Sequence, residues 1–207
     1  MAEENPMVYI VEDDEAVRDS IELMMESVGQ EAKAYPDAQS FLDDFANTMS
    51  GCVVTDVRMP GMNGMDLHRQ LNSLGCNMPV IFVTGHGDIQ MAVDAMQNGA
   101  FDFVTKPYRE QELLDKINRA LDQDAAKREF LVERQEVQNR LSTLTARETE
   151  VMEMMVEGNA NKVIGIYLGI SERTVEIHRG RVMKKMKTHS LAELVKMVLV
   201  AKGKLTP

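Results

Sequence analysis

Residues 7–29, MVYIVEDDEAVRDSIELMMESVG, contain the change of period that decides the fold. Met7 to Val11 is an unbroken apolar run of strand length, as expected for a strand buried on both faces of a parallel sheet. Four acids, Glu12 to Glu15, follow at once. From Glu15 to Val28 the apolar residues Val17, Ile21, Met24 and Val28 recur every three or four positions, which places them on one face of a helix ending at Gly29. The same strand-then-helix alternation returns with Cys52 to Thr55, Pro79 to Thr84 and Phe101 to Val104, and in a thinner form with Glu31 to Tyr35. Gly51, Gly75 and Gly99 each fall between a helical segment and the next strand. Five β-α repeats predict an α/β domain with a five-stranded, parallel, doubly wound sheet, whose ligand crevice lies at the carboxyl ends of the strands.

The remainder of the 207 residues is organised differently. Tyr108 to Glu157 contains neither Gly nor Pro. It opens as a fifth helix with Leu113, Leu114, Ile117 and Leu121 inward, then becomes charged and Gln-rich from Asp122 to Arg140. Phe130, Val137 and Leu144 recur every seven residues, but Arg134 occupies an intervening seam position, so a solvated connecting helix is preferred to a coiled coil. Near Leu144 a second domain starts. Thr145 and Glu148 have the form of a capping box, and further helices are expected over Asn161 to Leu168, from Ser171 to about Met186, and over Leu191 to Val200. The expected division is a first domain over 1–121, a helical linker over 122–143, and a four-helix domain over 144–207.

Composition limits what the chain can do. It is 44% hydrophobic and 27% charged, as folded globular chains are. No apolar stretch reaches membrane-spanning length and the first residues are acidic, so a cytoplasmic protein with no membrane partner is expected. Cys52 and Cys76 are too few for a disulfide framework and lack zinc-site spacing. A formal net charge of −10 argues against nucleic acid only on average. Residues 1–120 carry 8 Lys+Arg against 21 Asp+Glu, whereas residues 121–207 carry 15 against 12, so the two halves suit different partners.

The predicted sheet gathers distant residues at one edge: Glu12 and Asp13 after strand one, Asp56 at the end of strand three, Thr84 at the end of strand four, and Lys106 after strand five. Crowded carboxylates repel unless a cation sits among them, and an all-oxygen set suits Mg2+ or Mn2+. Such a group with an adjacent lysine can accept a phosphoryl group, the carboxylate attacking in line while the cations stabilise charge on the phosphoryl oxygens. Taken singly, Glu12 to Glu15 could be a charged helix start and Asp56 a turn residue. Their joint placement at one edge favours the site. His86, a loop histidine with no His or Cys nearby, reads as structural.

In the second half, residues 172–187 hold Arg173, Arg179, Arg181, Lys184, Lys185 and Lys187 against Glu172 and Glu176, a local +4. On a helix Val175, His178, Val182 and Met186 share one face, while Arg173, Glu176, Ile177, Gly180, Arg181 and Lys184 share another. A preceding helix joined through Gly169-Ile170-Ser171 gives a helix-turn-helix, with the second helix sized for the major groove of double-stranded DNA. Glu176 can accept from cytosine N4, while Arg173, Arg179, Lys184 and Lys162 can hold phosphates. Thr174 and Ile177 complete the expected contact set. Gly180 either marks close approach to a groove or is incidental.

Two resemblances follow from these motifs. Val11-Glu12-Asp13-Asp14, Asp56-Val57-Arg58-Met59-Pro60-Gly61-Met62-Asn63-Gly64, Thr84-Gly85-His86-Gly87-Asp88 and Lys106-Pro107 together resemble the flavodoxin-like (CheY-like) receiver domain of two-component response regulators. Leu144-Thr145-Ala146-Arg147-Glu148, Gly158, Asn161-Lys162, Ile170-Ser171 and Thr174-Val175-Glu176-Ile177-His178 resemble the LuxR-type helix-turn-helix, and the two together resemble the FixJ branch of the FixJ/NarL family. The resemblance implies that Asp56 is the phosphoacceptor of a sensor histidine kinase. It further implies that Glu12, Asp13, Asp56 and the Arg58 backbone carbonyl hold Mg2+, that Lys106 contacts the phosphoryl group, and that the Lys106-Pro107 bond is cis. Thr84 and Phe103 would form a switch, the hydroxyl moving to the phosphoryl group and the ring turning inward. Phosphorylation would promote a homodimer that binds promoter DNA, commonly as an activator, with RNA polymerase a further partner. Two rivals are a regulator with a passive receiver and an aspartyl-phosphate hydrolase. The hydrolase would need a second acid where Arg58 stands, so the chain is not expected to be an enzyme.

Overall fold

The computed structural model describes residues 6–85 and 89–204, apart from the side chains of residues 89, 90 and 92. His86 and the Gly87-Asp88 end of its motif lie outside them. Two compact units divide at Ala126 and Lys127.

The first unit is an alternation of five strands and five helices: β1 Met7–Val11, α1 Glu15–Ser27, β2 Ala32–Tyr35, α2 Ala38–Asp44, β3 Gly51–Asp56, α3 Gly64–Ser73, β4 Val80–Thr84, α4 Ile89–Gln97, β5 Asp102–Thr105 and the start of α5 Glu110–Leu141. The strands form one sheet in the order β2-β1-β3-β4-β5, every pairing parallel. Apolar side chains cover both faces. Tyr9, Val11, Phe41, Val53, Leu67, Leu71 and Phe82 are buried in the cluster that includes α2 and α3. Ile10, Ile21, Met25, Val54, Ile81, Leu113 and Ile117 pack on the opposite face with α1 and α5. Alternate residues of β1, β3 and β4 thus enter different cores, which accounts for strands that read as continuous apolar runs.

Local chemistry fixes the ends of α1. The Asp14 carboxylate accepts from the backbone N–H groups of Ala16 and Val17, and Gly29 turns the chain with φ 71°. Gly51, expected in the turn before β3, is the first residue of that strand and pairs with Met7. A β-carbon there would lie 1.8 Å from the Met7 carbonyl oxygen, and its φ is 123°, so only glycine fits.

α5 runs for 32 residues and takes in most of the stretch 122–143 that the sequence marks as a linker. Its first turns bury Leu113, Ile117, Ala120 and Leu121. Asp124, also buried, accepts a 2.9 Å hydrogen bond from the Gly51 N–H within the first unit. Farther on, Val137 is 3% exposed in the core of the second unit and Leu141 packs against it. Val137 is therefore occupied within its own chain and is not free to form a coiled-coil seam.

The second unit completes its core with α6 Ala146–Val156, α7 Asn161–Leu168, α8 Glu172–Met186 and α9 Leu191–Ala201. Thr145 and Glu148 form the expected capping box at the start of α6. Gly169, at φ 67°, ends α7, and Ser171 caps α8 two residues later. Val151, Met155, Ile164, Val175, Val182, Met186, Leu194 and Val198 close around this turn. Among the described residues no helix is long and apolar enough to cross a membrane.

Candidate functional site

The carboxyl ends of β1, β3, β4 and β5 bring the acidic set together as the sequence predicts. Glu12 is 2% exposed, Asp56 is half-buried and Asp13 is exposed, and one carboxylate oxygen from each lies within 4.8 Å of the others. Lys106 Nζ donates to Asp56 Oδ2 at 2.6 Å and to Glu12 Oε2 at 2.8 Å. Asp56 Oδ1 accepts from the Arg58 N–H at 3.0 Å, so the backbone after the strand folds back over the carboxylate. Arg18, one turn into α1, donates to the Glu12 carbonyl at 2.9 Å and holds the β1-α1 loop. Gly64 closes the opposite side: a β-carbon there would lie 2.1 Å from the Asp56 carbonyl oxygen.

The electrostatics are those of a crowded anionic crevice. Burial, together with the neighbouring Asp56, raises the Glu12 carboxyl above its ordinary value, against the lowering effect of Lys106. Burial alone would lower Lys106, but its hydrogen bonds to Asp56 and Glu12 raise it overall. Glu12 Oε1 is buried with no hydrogen-bond partner among the described residues. An unsatisfied buried carboxylate oxygen beside two further carboxylates, with no nitrogen or sulfur ligand in the cluster among the described residues, fits a hard divalent cation such as Mg2+.

Lys106 and Pro107 are joined by a cis bond, and the Lys106 N–H donates to the Thr84 carbonyl at 2.7 Å. Thr84 is buried, and among the described residues its hydroxyl contacts the Gly85 carbonyl at 3.4 Å. Phe103 pairs across the sheet with Phe82, two residues before Thr84, so ring and hydroxyl belong to the same sheet face. Phe103 is half-buried, with Lys116 Nζ 5.9 Å from its ring centroid. Sequence reading missed Lys116 and Arg18. Lys116 lies on the following helix, with no local motif to relate it to the strand.

α8 divides its residues between core and solvent. Val175, Val182 and Met186 are buried, and His178 is half-buried on the same side. Arg173, Glu176, Ile177, Gly180, Arg181 and Lys184 are exposed, as is Lys162 in the first turn of α7. Thr174 and Arg179 are half-buried, and the Thr174 hydroxyl is 2.8 Å from that of Ser171, so it takes part in the cap. Lys185 turns inward from the basic series. It donates to Glu148 Oε2 at 2.6 Å and to the Thr143 carbonyl at 2.9 Å, fastening α8 to the start of α6. That hydrogen bond, followed by the one from the Thr145 N–H, holds the Glu148 carboxyl down to about 2. Within the second unit the exposed face of α8 is basic, as a major-groove helix requires.

The model of the response regulator receiver domain matches residues 8–118, and that of bacterial regulatory proteins of the luxR family matches residues 142–198. The transcriptional regulatory protein FixJ of Azorhizobium caulinodans is 44% identical over 194 residues, covering 94% of this chain and 92% of that protein. Among solved structures, the response regulator StyR superposes with a TM-score of 0.83 at 39% identity, covering 94% of this chain and 98% of that one. Full-length FixJ from B. japonicum gives a TM-score of 0.60 at 38% identity, covering 97% and 98%. These families are regulatory rather than catalytic, and they are characterised by sensor-kinase and DNA partners. The chain therefore belongs to the FixJ/NarL family of two-component response regulators, in its FixJ branch, and is a DNA-binding transcription factor.

Proposed function

We propose that Asp56 accepts a phosphoryl group from a sensor histidine kinase, and that the modified receiver dimerises and strengthens promoter binding by α8, acting as an activator. The observation that carries this reading is the convergence of Glu12, Asp13, Asp56 and Lys106, with one buried Glu12 oxygen lacking a partner among the described residues. Asp56 attacks phosphorus in line, the bond from phosphorus to the kinase imidazole nitrogen breaks, and that nitrogen keeps the electron pair. Lys106 exchanges its bond to Asp56 for one to a phosphoryl oxygen. A Mg2+ or Mn2+ ion held by Glu12, Asp13, Asp56 and the Arg58 backbone carbonyl would supply positive charge to the phosphoryl oxygens. Thr84, whose hydroxyl has only a long contact among the described residues, donates to the phosphoryl group, and Phe103 turns into the space it leaves.

On DNA, Arg173, Arg179, Arg181, Lys184 and Lys162 neutralise phosphates. Glu176, Ile177 and Thr174 face base edges, and Gly180 lets the helix approach closely. RNA polymerase is the further partner that activation requires, and the protein works in the cytoplasm. The test is labelling with a radioactive small-molecule acyl phosphate. Wild type takes up one acid-stable, base-labile label that needs divalent cation, and Asp56→Asn takes up none. Equal labelling of the variant would remove Asp56 from the role.

A further inference from the structure

We propose that Lys116 is a positioning residue for the switch, holding the Phe103 ring in its half-buried place through a cation–π contact and so setting how readily phosphorylation turns it. This rests on the reading of Thr84 and Phe103 as the switch pair. The geometry ties ring and cation to one carboxylate. Asp102 Oδ1 accepts from the Phe103 N–H at 2.8 Å and from Lys116 Nζ at 2.7 Å, so strand and ammonium are fixed relative to each other. Lys116 Nζ then lies 5.9 Å from the Phe103 centroid, within the range where a ring's negative face attracts a cation. The Lys116 and Asp102 side chains are 19% and 18% exposed, so water screens the contact only in part.

Neighbouring Arg119 repeats the pattern. It lies 3.7 Å from Asp102 Oδ2 with its guanidinium 5.7 Å from the Phe101 ring, but its side chain is 69% exposed and contributes less. A ring that turns inward leaves the Lys116 cation. The ammonium keeps its Asp102 partner, so the attraction lost weighs only on the ring's position. A contact of this exposure biases the two positions by about two- to fivefold.

The experiment labels the full chain with 4-fluorophenylalanine and assigns the Phe103 fluorine resonance through Phe103→Leu. Beryllofluoride with Mg2+ is then titrated into wild type, Lys116→Met and Lys116→Arg. The expected result is that Lys116→Met turns the ring inward more often without the mimic and lowers its half-saturating concentration by about two- to fivefold. Lys116→Arg, which keeps a cation, stays close to wild type. If the mimic moves the wild-type resonance but Lys116→Met titrates identically, the inference is overturned and the phosphorylation reading stands. Lys116→Arg behaving like Lys116→Met also overturns it, because charge would then not be the cause. A wild-type resonance that ignores the mimic overturns the switch reading and this inference together.

Discussion

Replacing Gly180 by alanine separates what α8 needs for folding from what it needs for DNA. Gly180 lies inside the 15-residue helix, is exposed, and a β-carbon built on it meets no heavy atom within 4 Å. The fold therefore gives no steric reason for glycine. Its backbone entropy costs a helix interior roughly 0.5–1 kcal/mol relative to alanine. Restoring that amount should raise the melting temperature of the second unit by roughly 2–8 °C, since 1 kcal/mol moves a domain of about 60–100 residues by about 4–8 °C. Calorimetry of the full chain reads this directly. DNA affinity reads the other role: if glycine lets the helix approach the groove, the added methyl weakens binding while it stabilises the fold. A melting temperature that is unchanged or lower would refute the reasoning about the helix. Stabilised folding with unaltered affinity would show that the glycine serves neither purpose.

Two further changes probe contacts within each unit. Glu148→Gln should flatten the acid dependence of the second unit. A carboxyl held at about 2 when folded and ionising near 4.5 when unfolded contributes fully above pH 4.5, and its contribution fades as pH falls through 2. The gap in stability between wild type and variant should therefore narrow over that window in denaturant titrations; a constant gap would show that the Lys185 bond does not perturb Glu148. Gly64→Ala must displace either α3 or the Asp56 carbonyl, which stands 2.1 Å from the new carbon. It should destabilise the first unit by about 1–3 kcal/mol and slow phosphoryl uptake, and near-neutral unfolding and labelling would contradict that.

Much of the first unit was legible because its signals are local. The runs starting at Met7, Cys52, Pro79 and Phe101 alternate with helical periods, and an ordered set of acids, threonine and lysine at strand ends needs only the topology to become a cluster. What was not legible depends on residues meeting across the fold. Gly51 begins β3 because of the Met7 carbonyl against it, which no turn signal conveys. Val137 looked like a seam residue from its seven-residue spacing, yet the second unit's core takes it up. Lys185 counted as one more positive charge until Glu148, 37 residues away, claimed it. Lys116 and Phe103 likewise share no periodic relation. The charge of −10 was misleading for a simpler reason: it averages an acidic site with a basic helix.

The most direct test of phosphorylation control measures the affinity of the full chain for promoter DNA, and its oligomeric state, with and without beryllofluoride and Mg2+, in wild type and Asp56→Asn. The predicted result is tighter binding and dimer formation in the wild type alone. A wild type whose affinity and oligomeric state both ignore the mimic would contradict the claim that Asp56 controls DNA binding.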